Sequence, residues 1–409
     1  MSLRNLFFNR YVKILLLLLV VFIAYSLINS YLLKGRVVVV VEDTKAVIYL
    51  ADPKTMKTKN IGIGVASARL SPGQYIVEAK HDDKVSRMAI NIKARKTTSS
   101  KIKLITPTEA AVAISDKVGD NIFSGKDGSL TFLNRPFRVI YKYVPGTDPK
   151  PYLGDIYPVS RLSWLGNGGA IASNNDGATY IDSAGVHHDL SGYLNSQIGY
   201  AVAPSGNIAY LSNKSLLLKK SPLSSTSFSI ANLEIVNHKA LFSPDSKYIL
   251  IVSGVLCVDI EESECLEIKA RSKNIIFDSE SFEKIVEIPN DLSIDSSVWG
   301  LGGELAYATG TNLHLYDLAT KADSEILTTI NSTPVWPLMF KDEDIFFYAQ
   351  DSYLWEYDIR SNISYKISSY QGSILPSSFT LSADKHMAYF STDADVKGAG
   401  GNIYNLSLP

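Results

Sequence analysis

The residues of this 409-residue chain best suited to chemistry are two cysteines and one pair of adjacent histidines. Cys257 and Cys265 sit in "GVLCVDIEESECLEI", extended on both sides of an acidic turn. A hairpin centred near Glu261 sets the two thiols opposite each other. Cross-strand neighbours lie about 4.5–5.5 Å apart, which is within reach of a disulfide. Two unpaired thiols are the alternative, and the disulfide requires a compartment outside the reducing cytoplasm. The tip carries Glu261, Glu262 and Glu264, an acidic protrusion suited to a basic partner; an ordinary solvated loop is the plainer reading. His187 and His188, if on a strand, point to opposite faces and cannot share a metal. They are expected in a solvated loop.

Other motifs are weaker. "DADVKG" (393–398) begins like a calcium loop, but Lys397 occupies the third ligand position and no closing Glu follows at the required distance. No nucleophile elbow, P-loop or dinucleotide fingerprint is present, and the carboxylates form no pair recognisable as a general acid and base. The sequence therefore assigns no catalytic residue, metal ligand or cofactor. Of the four tryptophans, Trp164 and Trp299 occupy equivalent positions in a repeat described below and are expected to pack between repeats. Trp336, between Pro334 and Pro337, is expected in a loop and is the best candidate for an exposed recognition aromatic.

Stepping along the chain, residues 1–13 carry Arg4, Arg10 and Lys13 and no acid, and read as a cytoplasmic N-terminus. "ILLLLLVVFIAYSLINSYLL" (Ile14–Leu33) is charge-free and long enough to span a bilayer as a helix. A cleaved signal peptide is the rival reading, because Ala24-Tyr25-Ser26 offers small residues for cleavage. Either way, the remainder is expected to leave the cytoplasm. Residues 34–105 hold 15 Lys/Arg against 6 Asp/Glu, and residues 106–409 hold 22 against 35. A basic segment beside the apolar run is thus followed by an acidic body. The net charge of −1 gives no reason to expect nucleic-acid binding.

Between residues 34 and 105, "RVVVVVEDTKAVIYLAD" is strand-like by its β-branched content, and Asp-Pro, Ser-Pro-Gly and His-Asp-Asp turns separate further short strands. The pattern predicts a small antiparallel β-sandwich. "LSPGQYIVEAKHDDKVSRMAINI" resembles the second half of a PEGA domain, a small bacterial surface module with a Leu-x-Pro-Gly-x-Tyr turn leading into a Val-x-Val strand. The literal Pro-Glu-Gly-Ala motif is absent. The resemblance implies a spacer or adhesion module with no catalytic residues. The basic excess would suit anionic headgroups or acidic wall polymers.

Residues 106–409 are repetitive. "WLGNGGAIAS", "APSGNIAYLS", "FSPDSKYILIVS", "WGLGGELAYAT", "MFKDEDIFFYA" and "LSADKHMAYFS" begin at 164, 203, 242, 299, 339 and 381. Each has an apolar start, a polar turn and an apolar strand. Third elements follow, among them "ATYID", "NIIFD", "LHLYDL" and "LWEYDI", with weaker fourth strands. Four strands about every 40 residues is propeller periodicity. "FSPDSKYI" and "LYDLATKADSEIL" resemble the TolB-like and WD-repeat propeller class, without the strict Trp-Asp and Gly-His hallmarks. Counting residues 111–143 as a degenerate copy gives seven blades, with six as the alternative. The last copy stops at its third strand, so its fourth is expected from near Ala110–Ser115.

The sequence thus predicts an all-β protein: one N-terminal transmembrane helix, a small β-sandwich, then a β-propeller. The expected role is a binding or scaffold protein at a bacterial cell membrane, single-pass, with its bulk outside the cytoplasm. Its propeller would hold a protein partner or an envelope glycan. The alternatives are a glycan-acting hydrolase or lyase with its site at the channel mouth, or a TolB-like envelope assembly factor.

Overall fold

The computed structural model describes every residue except 1–9, 28–32, 56, 116, 118, 135–136, 153–157, 195–199, 213–214, 233–237, 254–273, 289–296, 310, 329–332, 371–373, 393–401 and 409. Two units divide the chain: residues 1–106 with Asn362–Tyr365, and residues 107–361 with 366–409.

The first unit begins with a helix, α1 (Arg10–Leu27), whose side chains from Ile14 to Ile23 are exposed. At 1.5 Å per residue these 18 residues span about 27 Å, a little less than the ~30 Å hydrocarbon core. Among the described residues no helix is long and apolar enough to cross a membrane, so the expected transmembrane span is not supported here. Seven strands follow: β1 (Gly35–Val41), β2 (Val47–Asp52), β3 (Lys57–Ile63), β4 (Val65–Leu70), β5 (Gly73–His81), β6 (Lys84–Ile92) and β7 (Thr97–Ile102). They are hydrogen-bonded in the order β6-β5-β2-β3-β4-β1-β7.

Strand alternation accounts for the core. Val37, Val39 and Val41 point inward and are at most 3% exposed, and they join Ile48, Leu50, Val77, Ile90, Ile92 and Ile102 in one cluster. One expectation is corrected. The unit is not wholly antiparallel, because β7 runs parallel to β1, from Arg36 opposite Thr97 to Val41 opposite Ile102. The Arg36 amide donates to Lys96 O at the point where the two strands start together. Asn362–Tyr365 belongs here as an added edge: Ile363, Ser364 and Tyr365 pair with Met88, Arg87 and Ser86, and Asn362 Nδ2 donates to Ala89 O at 3.0 Å.

The second unit is a β-propeller. Six four-stranded sheets stand as separate blades: residues 119–151, 161–189, 200–232, 238–288, 297–328, and 374–407 completed by β8 (Ala111–Ile114). Six is the smaller of the two counts the sequence allows. The further meander, residues 336–369, is not a separate sheet, since it ends in the strand Ile363–Ser369 that contributes Ile363–Tyr365 to the first unit. The first strands of the blades from residue 119 to residue 242 pack each against the next, Trp336–Phe340 packs against both Ser297–Trp299 and Ile374–Leu381, and Ile374–Leu381 packs against Gly119–Ser124 to close the ring. In the last blade Ile403, Tyr404 and Asn405 pair with Ile114, Val112 and Ala111, so the fourth strand does come from the N-terminal end. That pairing removes an exposed sheet edge.

The recurring phrase has a physical reason. In "FSPDSKY" the Ser243 hydroxyl donates to Asp245 Oδ1 at 2.6 Å, the Lys247 amide donates to the same oxygen, and the Tyr248 amide donates to Ser243 Oγ. Ser382, Asp384, His386 and Met387 repeat that network in the last blade. The fourth residue past the first strand adopts positive φ in five copies: Gly168, Gly206, Ser246, Gly303 and Lys385. Glycine suits that backbone region without a Cβ penalty. The third strands end in Asp for a similar reason. Asp278, Asp317 and Asp358 each accept two backbone amides of the turn that follows, an Asx arrangement.

Candidate functional site

Among the described residues three polar constellations of the propeller could act on a ligand, and the most developed lies on the blade of residues 297–328. Its second and third strands are Glu304–Thr309 and Asn312–Asp317, and its fourth is Ala322–Thr328. Tyr307 pairs with His314, and Thr309 with Asn312. Residues two apart on a strand share a face, so Leu305, Tyr307 and Thr309 lie together. Leu305 and Tyr307 pack with Leu250, Val252 and Ile276 of the preceding blade.

At the polar end of that face, Thr309 Oγ1 lies 3.2 Å from His314 Nε2. His314 Nδ1 lies 3.5 Å from Asp323 Oδ1, within ion-pair range and long for a hydrogen bond. The Tyr307 hydroxyl donates to Asp323 Oδ2 at 2.6 Å, and the imidazole stacks on the Tyr307 ring with centroids 4.8 Å apart. The His314 and Asp323 side chains are 17% and 29% exposed, while His314 Nδ1 itself is shielded from solvent. A hydroxyl beside an imidazole with a carboxylate nearby has the group types that move protons, but His314 Nδ1 makes no hydrogen bond among the described residues, so Asp323 stands beside the ring without being bonded to it.

The sequence reading missed these four residues. The signal existed: in "AYATGTNLHLYDLATKADSEIL" a histidine and an aspartate flank one tight turn on adjacent strands. Seeing them meet requires the hairpin register, because Asp323 pairs with Tyr316 and His314 with Glu325, so the two side chains meet diagonally across the ladder.

A second histidine–aspartate pair occupies the blade of residues 161–189. His188 Nε2 lies 3.3 Å from Asp182 Oδ2, and its ring stacks on Tyr180. The Asp182 carboxyl is held below the ordinary range, first by the Val186 amide and further by His188 and the Ala184 amide. The expected solvated loop at His187 and His188 is corrected to a strand, His187–Asp189, with His187 exposed and His188 half-buried. Asp182 is committed to its own turn as much as to His188, so this pair reads as a turn brace.

The third constellation surrounds Glu356 on the strand Tyr353–Asp358. Glu356 is 6% exposed, and its Oε2 has no hydrogen-bond partner among the described residues. Burial raises its pKa, Lys341 opposes that rise, and Asp358 and Asp342 add to it.

The sequence-predicted residues are distributed as follows. Trp336 is not in a loop: it is half-buried at the start of the strand Trp336–Phe340, opposite Ala349. Cys257, Cys265, Glu261, Glu262, Glu264 and the 393–398 segment lie outside the described residues. Trp164 and Trp299 pack between blades. The Trp164 indole donates to Asn121 O at 3.2 Å and stacks on Phe123; the Trp299 indole donates to Leu241 O at 3.3 Å and stacks on Tyr248. Each partner belongs to the preceding blade. Among the described residues no group of three His, Cys, Asp or Glu side chains is placed to hold a metal ion.

No protein-family model matches the chain, so the PEGA resemblance of residues 36–105 gains no support, and no curated relative matches either. Solved structures do match. Virginiamycin B lyase from Staphylococcus aureus is 12% identical with a TM-score of 0.51, covering 73% of this chain and 97% of that one. A chain of a mitotic checkpoint complex is 11% identical with a TM-score of 0.51, covering 74% and 92%. Oligogalacturonate lyase from Vibrio parahaemolyticus is 10% identical with a TM-score of 0.50, covering 83% and 98%. At such identities the likeness shows the fold alone: this chain contains a β-propeller.

Proposed function

We propose that this chain is a membrane-tethered binding protein whose propeller holds a protein or an envelope polymer outside the cytoplasm. The observation that carries the reading is α1, in which ten consecutive side chains from Ile14 to Ile23 are 45–69% exposed. Water does not tolerate so large an apolar surface around one helix, and in the sequence the apolar run continues through Leu33. The ring supports the second half of the reading. Closed by β8 and braced by indoles between blades, it is a rigid platform of the kind that displays loops for recognition.

Alkaline extraction of membranes from cells expressing the full chain tests the tether. The expected result is retention in the pellet, and release of a variant lacking Ile14–Leu33. Release of the full chain overturns it. Crosslinking in intact cells tests the binding role: a recurrent protein in near-equal amount or a retained polysaccharide supports it, and recovery of neither sinks it.

A glycan-acting hydrolase or lyase is the second reading, and the Thr309–His314–Asp323 line is what favours it. Turnover of acidic polysaccharides that is abolished in His314→Ala and in Asp323→Asn, with the fold retained, would establish it. Turnover unchanged in both variants removes that line from consideration.

A further inference from the structure

The outer face of β4, β1 and β7 combines apolar and basic side chains. Register places Val65, Val40 and Lys101 in one row, Ser67, Val38 and Ser99 in the next, and Arg69, Arg36 and Thr97 in the third. Their neighbours along each strand, Val37, Val39, Ala66 and Ile102, are buried in the core, so these nine side chains point away from it. Ile63 pairs with Val65 across the β3–β4 turn and shares its side of the sheet. Ile63 and Val65 are 61% and 62% exposed. The nine-residue face holds three cations, Arg36, Arg69 and Lys101, and no carboxylate. Glu42, at its edge, pairs with Lys101 at 3.1 Å, and the Arg36 Nε donates to Ser67 Oγ at 2.8 Å, which spreads its guanidinium over the sheet.

We propose that this face lies on the surface of an anionic phospholipid bilayer, with Ile63 and Val65 entering the headgroup layer and Arg36, Arg69 and Lys101 meeting lipid phosphates. The proposal rests on the tether. β1 starts at Gly35, and the seven residues after Leu27 reach about 25 Å at full extension, so an inserted helix keeps Arg36 near the bilayer. Charge complementarity selects the lipid. Basic side chains near an anionic membrane strengthen binding by about fivefold each, and exposed β-branched residues beside them suit the headgroup boundary. A neutral bilayer offers only the apolar half of that match.

The test uses the full chain in nanodiscs, with Cys257→Ser and Cys265→Ser, and an environment-sensitive fluorophore on Val65→Cys. A label on Asp83→Cys, in the β5–β6 turn, is the control. The expected result is an apolar shift of the position-65 label in discs containing phosphatidylglycerol, absent in phosphatidylcholine discs and absent at position 83. Arg36→Gln, Arg69→Gln and Lys101→Gln together should weaken the lipid dependence by roughly a hundredfold, with unchanged amide exchange in β5 showing that the fold persists. A chain held in both discs whose label stays aqueous in both overturns this face and leaves the tether standing. A chain that does not enter discs overturns the tether; the same label with phosphatidylglycerol vesicles then decides the face alone, a shift supporting it and none refuting it. A shift produced by polyglutamate in neutral discs, with none from phosphatidylglycerol, refutes a lipid occupant in favour of an acidic polymer.

Discussion

The first unit and the propeller bury their apolar side chains in different ways. In the first unit a single cluster unites β1, β2, β5, β6 and β7 around Val37, Ile48, Val77 and Ile92. In the propeller the cores are several and smaller, most of them set between one blade and the next. Leu250, Ile276 and Trp299 form one, Leu133, Ile140 and Ala170 another, and Ala209, Leu216 and Ile249 a third. A single cluster makes stability a property of the whole module. A ring of interfaces distributes it, as in stacked repeats where each unit is stabilised by its neighbours.

The sharpest way to break that comparison is to cut one side chain from each. Phe390 is fully buried and meets Phe379, Tyr370 and Tyr404. Phe390→Ala should cost about 3–5 kcal/mol and Ile48→Ala about 2–5 kcal/mol. Hydrogen exchange should then differ in pattern. Ile48→Ala should accelerate exchange throughout β1–β7, whereas Phe390→Ala should act first on the last blade and its neighbours. Uniform acceleration along the whole ring by Phe390→Ala would show that the interfaces act as one cooperative core.

Smaller changes sharpen it. Trp164 and Trp299 brace different interfaces with the same indole-to-carbonyl bond. Trp164→Phe and Trp299→Phe should each lose about 0.5–1.5 kcal/mol from that bond. Their effects in urea unfolding should add to within about 0.5 kcal/mol, because the sites share no partner. A large coupling energy would mean that the blades communicate.

The gentlest probe is Glu356. Burial raises its carboxyl pKa in the folded state, so the folded chain binds that proton more tightly than the unfolded one does. Stability from this group is fully present below the ordinary glutamate range and falls as pH climbs through the raised value. Glu356→Gln should flatten that decline and leave the variant more stable than the parent at neutral pH. A parent whose stability is equally flat across this range would show that Lys341 compensates the charge.

What the sequence conveys and withholds follows from distance along the chain. "FSPDSKY" and "LSADKHM" announce their turns because the serine, the aspartate and the amides they bind lie within five residues. Trp164 and Trp299 declared an inter-blade role because equivalent positions in a repeat see equivalent surroundings. The β1–β7 pairing was invisible, since Val-rich and Thr/Ser-rich strands carry no mark of parallel or antiparallel register. The addition of Ile363–Tyr365 to β6 was equally hidden, for its partners precede it by some 275 residues. Trp336 looked like a loop residue because prolines flank it, yet an edge strand accepts proline at its start. The Thr309–His314–Asp323 line was hidden because Asp323 stands opposite Tyr316 and reaches His314 only diagonally.

β8 has a consequence for the order of events during synthesis. Ala111–Ile114 leaves the ribosome well before its partner Ile403–Asn405, which lies far downstream in the chain. At roughly 5–20 residues per second, β8 waits about 15–60 s before its ladder can form. Throughout that interval the nascent ring is an open arc with an unpaired strand at one end. Closure is therefore the last step in building the ring, and any factor that shields Ala111–Ile114 in the meantime sets how much of the chain reaches it.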